Sequence, residues 1–212
     1  MKSVIIGAGT YGQVYYAYLQ DMGVNVIGFL DDNEKLWNTL VLGIPVLGGT
    51  DLLEKQRNTG MFEAVYCPIG NNRLRVHFLK CAEQLGYEIP NYIHSTVTLS
   101  PRVKIGKGVY ILLGTTIMPY TQIDDYVMIS MGVHLAHHSY LAKGTFLSTG
   151  VNFGASISTG ECAYVGISAT VMTGLHTLGK DCLVGAGAVV VKDVPDRAVV
   201  AGVPARIIRY QE

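Results

Sequence analysis

From Leu99 to Val190 an apolar residue recurs at almost every sixth position, and a period of six belongs neither to an α-helix nor to an isolated strand. The series runs Leu99, Ile105, Ile111, Ile117, Ile123, Ile129, Leu135, Leu141, Leu147, Phe153, Thr159, Val165 and Val171, then skips one residue and resumes at Leu178, Val184 and Val190. Fifteen of these 16 positions are apolar, where a half-apolar random chain would give about eight. Two residues earlier lies a column of small or β-branched side chains, from Val97, Val103, Val109 and Thr115 to Ala163 and Ala169.

Two inward side chains on a short strand, followed by a tight corner, account for both columns. Glycine recurs just after the aliphatic column, at Gly106, Gly154, Gly160, Gly166, Gly179 and Gly185, which places it at the corner, where it would relieve the backbone. Three units per turn give a triangular coil of 18 residues, each turn about 4.8 Å above the last. Stacked turns of this kind share one core.

The first 94 residues have a different grammar. Lys2 to Ile6 reads as a strand, Gly7-Ala8-Gly9-Thr10-Tyr11-Gly12 as a glycine turn, Tyr11 to Met22 as a helix and Asn25 to Leu30 as a second strand. Further on, Thr50 is expected to cap a short helix over Asp51 to Arg57, Ala64 to Ile69 to form a strand, and Asn72 to cap a helix ending near Leu85 and Gly86. The division is therefore an α/β Rossmann-like domain over residues 1–94 and a coil over residues 95–212.

Composition excludes several functions. Sixteen basic residues balance 16 acidic ones, so no basic field exists to hold nucleic acid or an anionic membrane surface. No apolar run approaches the roughly 20 residues of a membrane helix, and Met1 to Gly7 is too short for a signal peptide; the expected address is cytoplasmic. Cys67, Cys81, Cys162 and Cys182 form no Cys-x-x-Cys pair and read as buried thiols.

Gly7-x-Gly9-x-x-Gly12 between a strand and a helix, with Asp31 and Asp32 some 20 residues on, satisfies the context of a dinucleotide fingerprint. Only one nucleotide-binding half surrounds it, which argues against NAD. The turn still suits a phosphate at a helix N-terminus.

The hexapeptide coil, with its ending Val194-Pro195-Asp196-Arg197-Ala198-Val199-Val200-Ala201-Gly202-Val203-Pro204-Ala205, resembles the left-handed parallel β-helix acyltransferases. Together with Phe29-Leu30-Asp31-Asp32, Pro68-Ile69-Gly70-Asn71-Asn72 with Arg75, Tyr92-Ile93-His94-Ser95 and Ile117-Met118-Pro119-Tyr120, the whole chain resembles bacterial sugar acetyltransferases of the sialic-acid O-acetyltransferase and nucleotide-4-amino-sugar N-acetyltransferase type. The resemblance implies a homotrimer that uses acetyl-CoA, with a nucleotide-linked sugar held near Gly9, Thr10, Tyr11, Gly12, Asp31, Asp32, Gly70, Asn71 and Asn72. It also implies coenzyme contacts through Ala155, Ile167 and Gly185, with Lys192 and Arg206 offering charge for its phosphates. Gly70-Asn71-Asn72 also fits a simple strand-to-helix turn.

His134, His137 and His138 fall within one hexad. Alternation turns His134 outward and leaves the other two near a corner. The resemblance assigns the general base to His137, and the backbone N–H of Ala155, one coil on, is a candidate oxyanion donor. The family's pattern fails at the neighbours: His138 stands where an acidic residue follows the base, Ser130 where an asparagine precedes it, and Phe146 where a second histidine follows. His138 in another hydrogen-bonding role, Asp124 or Asp125 of a neighbouring subunit, or an exchange of roles within the pair are the alternatives. His176 marks the inserted residue. Three imidazoles can hold zinc, but no two histidines here are five residues apart, as in the β-helix carbonic anhydrases, and no metal is expected.

The expected activity is N-acetylation of a nucleotide-linked 4-amino-4,6-dideoxysugar for a bacterial surface glycan. O-acetylation of sialic acid and a non-catalytic trimeric sugar-nucleotide binder are the alternatives.

Overall fold

Apolar runs of four to six residues that alternate with amphipathic helices have to bury both sheet faces, and a parallel sheet does so. The structure, a computed structural model of residues 1–212, divides into two compact units, Met1–Pro90 and Asn91–Glu212. In the first, β1 (Lys2–Ile6), α1 (Thr10–Asp21), β2 (Asn25–Leu30), β3 (Leu40–Val41), β4 (Ile44–Gly48), α2 (Leu52–Lys55), β5 (Ala64–Tyr66) and α3 (Asn72–Gln84) follow in order. The sheet order is β3-β4-β2-β1-β5, parallel except for the β3–β4 hairpin. Val4, Ile5, Phe29, Leu30 and Val65 are fully buried in it. Helix α1 buries Gly12, Tyr15, Tyr16 and Leu19, the spacing of one helical face.

The helix ends depart from expectation in two places. Thr50 does not cap α2: its N–H and hydroxyl both donate to Asp32 Oδ1, at 2.7 and 2.9 Å, and the helix shortens to Leu52–Lys55 behind Asp51. Asn71 rather than Asn72 caps α3, accepting the Leu74 N–H at 3.0 Å, because Asn71 has the extended backbone that a cap requires. The strand expected to reach Ile69 stops at Tyr66.

In the second unit every residue of the aliphatic column closes a two-residue strand, from Thr98–Leu99 to Val189–Val190. These strands stack into three parallel sheets whose partners are 18 residues apart, as in Thr116↔His134 and Gln122↔Tyr140, and 19 apart beyond the insertion, as in Ser158↔Thr177. Tyr92–Ile93 already pairs with Tyr110–Ile111. The two inward columns form one continuous core from Val109 to Val200.

The corners differ from expectation. Backbone with positive φ recurs three residues after the aliphatic column, at Arg102, Gly108, Gly114, Tyr120, Tyr126, Gly132, His138, Gly144, Gly150, Ser156, Cys162 and Ser168. The glycines directly after that column serve another need: a Cβ at Gly160 would stand 2.3 Å from Lys180 N, and one at Gly166 2.7 Å from Ala186 N. They allow the next coil to approach, while the turn is made elsewhere.

Thr159, the polar member of the column, is buried, accepts the Ala142 N–H at 2.9 Å and meets the Thr145 hydroxyl at 2.7 Å. Cys67 and Cys182 are buried as expected, whereas Cys81 and Cys162 are partly exposed, the first on the side of α3 and the second at a coil corner. Burial pushes both the Cys67 and Cys182 thiols up to about 12.

Candidate active site

The glycine turn feeds directly into α1, whose N-terminus has no side-chain cap, so its donor end is presented to whatever enters. A cavity of about 210 Å³ opens there, lined by Ile6, Gly7, Gly9, Thr10, Tyr11, Gly12, Pro68 and Ile69. Gly12 has no room for a side chain, since a Cβ would lie 1.9 Å from Gly7 O.

Asp31 and Asp32 do not line this cavity. Asp31 accepts N–H groups from Ala8 and Asn33, each at 2.9 Å, and so pins the glycine turn to the end of β2. Asp32 is held by Thr50. Gly70, Asn71 and Asn72 follow the lining residues Pro68 and Ile69 without joining them. Beneath them lies Arg75, completely buried, which donates to Ile69 O at 2.8 Å and to Asn72 Oδ1 at 2.9 Å. The signal for this clamp is a basic residue at a buried position of an amphipathic helix.

In the coil, the corner after the sheet that contains His134–Leu135 carries Pro119-Tyr120, His137-His138 and Ala155-Ser156 on successive turns. Backbone hydrogen bonds join the turns: the His138 N–H donates to Pro119 O at 3.3 Å and the Ser156 N–H to His137 O at 3.0 Å. Both imidazoles are exposed. Their Nδ1 atoms are 3.0 Å apart, with ring planes at 88°. His138 stacks on Tyr120, centroids 4.8 Å apart and planes at 28°. Arg102 lies over the other end of this stack, 5.4 Å from the Tyr120 centroid, and donates to the Tyr120 hydroxyl at 2.9 Å. Tyr120 and Arg102 are absent from the sequence-derived site; the spacing of 18 is their signal.

Ala155 is buried on the same corner and its N–H donates to Thr173 Oγ1 at 3.2 Å. Ile167 and Gly185 lie at another corner, after the sheet that contains Tyr164–Val165 and Leu183–Val184. Ser130 and Phe146 also belong to that side. Asp124 accepts the Tyr140 hydroxyl at 3.2 Å and Asp125 pairs with Lys143 at 3.7 Å, so each has a partner within the chain.

A groove of about 340 Å³, unannounced by the sequence, runs along the sheet beside the histidine corner. Its lining includes the small residues Ala136 and Gly154, the exposed Met118 and Met172, and His134, Asn152 and Thr173. Small residues flanked by exposed apolar ones let a flexible chain lie against the backbone. His134 Nδ1 is 2.8 Å from Thr116 Oγ1. No group of three histidine, cysteine or acidic side chains is placed to hold a metal ion, and no helix is long and apolar enough to cross a membrane.

Known proteins share this fold. Residues 2–82 match the PglD N-terminal domain. A histidine-to-alanine variant of GDP-perosamine N-acetyl transferase from Caulobacter crescentus, in complex with CoA and GDP-perosamine, is similar over 99% of this chain and 97% of its own, at 33% identity and TM-score 0.91. The acetyltransferase domain of PglB from Neisseria gonorrhoeae FA1090 is similar over 98% of this chain and 99% of its own, at 31% identity and TM-score 0.88. That domain is also known in complex with acetyl coenzyme A. Galactoside O-acetyltransferase of Escherichia coli strain K12 is 40% identical over 53 residues, 25% of this chain, so the chain spans about a quarter (26%) of that relative's length. Likeness along the whole chain, at more than 30% identity, covers the α/β unit and the left-handed β-helix together: the chain belongs to the PglD-type family of acetyl-CoA-dependent sugar N-acetyltransferases with a hexapeptide-repeat domain.

Proposed function

We propose that this chain transfers the acetyl group of acetyl-CoA to the 4-amino group of a nucleotide-linked 4-amino-4,6-dideoxysugar used in a bacterial surface glycan. The observation that carries the reading is the exposed His137–His138 pair, on a β-helix similar along its full length to a perosamine N-acetyltransferase known in complex with CoA and GDP-perosamine.

The chemistry follows from this pair. Two Nδ1 atoms at 3.0 Å share one hydrogen, so if His137 supplies it, its Nε2 presents a lone pair. That lone pair takes a proton from the sugar nitrogen as the nitrogen bonds to the thioester carbon, and returns it to sulfur as the C–S bond breaks. Negative charge developing on the carbonyl oxygen needs donors; the Ala155 N–H, one coil on from His137, is engaged by Thr173 Oγ1 at 3.2 Å and has to exchange that acceptor for the thioester oxygen to serve as one. The nucleotide belongs in the glycine-turn cavity, its phosphates against the start of α1.

Of the residues expected to meet the coenzyme, Ile167 and Gly185 share no corner with His137, whereas Ala155 does. A second copy that packs the one corner against the other would complete the coenzyme site, and the active form in this reading is a homotrimer. Sedimentation that shows a stable, fully active monomer would overturn it.

The test of the activity is thiol release from acetyl-CoA with UDP-, dTDP- and GDP-linked 4-amino sugars and with free sialic acid, run beside His137→Ala. Turnover of an amino sugar that His137→Ala abolishes supports the reading. Turnover of sialic acid alone replaces it with O-acetylation, and binding without turnover replaces it with a non-catalytic role.

A further inference from the structure

A general base needs its second ring nitrogen fixed, and a carboxylate is the usual means, because it accepts the Nδ1–H and leaves Nε2 bare. In this chain the next residue is His138, whose own ring must present a lone pair to His137 Nδ1 for the same result. An imidazole can do this in one tautomer and one ring orientation, whereas a carboxylate has two equivalent oxygens. Something therefore has to hold the His138 ring.

We propose that Tyr120, backed by Arg102, is the positioning residue that orients His138 and, through it, the base His137; this rests on the acetyltransferase reading above. Three left-handed corner residues on successive coils, Arg102, Tyr120 and His138, have φ of 68, 64 and 56°, so their side chains leave the corner in the same direction and stack. The Tyr120 face covers the His138 ring at 4.8 Å and stops it from tilting. The Arg102 guanidinium, bonded to the Tyr120 hydroxyl at 2.9 Å and 5.4 Å above its ring, fixes the tyrosine in turn. The cation stands on the His138 side of the histidine pair, so the proton taken from the substrate is better placed on His137 than on His138.

The test uses the full-length protein with ¹⁵N-labelled histidine and three variants. Glycine accommodates the positive φ of residue 120 without strain, so Tyr120→Gly removes the ring and not the corner. In the unmodified protein the imidazole nitrogen shifts should show His137 protonated at Nδ1 and bare at Nε2. In Tyr120→Gly the two tautomers should average, and kcat should fall about 10- to 100-fold with KM for both substrates held. Tyr120→Phe, which keeps the face, should retain most of the rate. Tyr120→Gly combined with His138→Glu should recover it, since a carboxylate needs no stacking partner. An unchanged His137 tautomer and kcat in Tyr120→Gly, or a double variant as slow as Tyr120→Gly, overturns the proposal. If no amino sugar is turned over at all, the acetyltransferase reading fails, and the nitrogen shifts still decide the role of the stack.

Discussion

His137 and His138 meet Nδ1 to Nδ1 at 3.0 Å with their rings nearly perpendicular. Only one ring can be the donor, so the pair is asymmetric in function although its members are alike. His137→Ala is expected to lower kcat by about 10²- to 10⁴-fold, the range of a lost general base, with coenzyme affinity retained. His138→Glu should remain active and His138→Ala should fall between the two. Steady-state kinetics on the accepted amino sugar give the ranking, and an inactive His138→Glu beside an active His137→Ala would mean that the roles are exchanged.

Gly12 is a steric requirement. A methyl group 1.9 Å from Gly7 O cannot be absorbed by a side-chain movement, because the obstacle is backbone. Gly12→Ala should cost at least the roughly 1–3 kcal/mol of an overpacked core and abolish nucleotide-sugar binding. Urea unfolding and calorimetric titration with the sugar nucleotide check the two effects separately.

Thr159 interrupts an otherwise apolar column, and Thr159→Val would restore the pattern. The structure predicts loss of stability, because the buried Ala142 N–H would keep no acceptor. The cost should be about 1–3 kcal/mol. A denaturation midpoint equal to or above that of the unmodified protein would contradict this.

The one-residue insertion is held by Asp193, which accepts the His176 N–H at 2.6 Å and the Thr177 N–H at 3.0 Å. The Thr177 N–H, then the His176 N–H, hold its carboxyl below the ordinary 3.8. A depressed carboxyl contributes stability above its unfolded value and loses it as pH falls through the folded one. Asp193→Asn should therefore melt below the unmodified protein at pH 7, and the gap should close as pH is taken below 3.8. A gap that is constant with pH would assign the effect to packing.

The coil is legible in the sequence because its inward positions obey one simple demand, burial, at fixed spacing. Its corners are less so. Glycine answers two demands, positive φ at Gly114 and Gly150 and close approach of the next coil at Gly160 and Gly166, and the letter is the same for both. Asn71 and Asn72 pose the same difficulty: either residue type can cap, and backbone geometry decides that Asn71 does while Asn72 turns to Arg75.

For the site, the glycine turn and His137 stand out by motif and resemblance, whereas Arg102 and the groove between Met118 and Met172 do not, and Tyr120 is legible only as part of the Ile117–Tyr120 motif, without a role. Their neighbours are 18 residues away in the chain. Such contacts become visible only once the coil length is known and the sequence is written three hexads to a row.

The last coil ends in a hairpin, Ala198–Ala201 against Arg206–Tyr210, whose second strand runs opposite to all those stacked before it. Each earlier turn offers the next a parallel template on every side, which in principle invites another molecule to continue the column. The reversed strand removes that template from one side of the prism. The column thereby carries, at that end, a strand that resists end-to-end fibre growth.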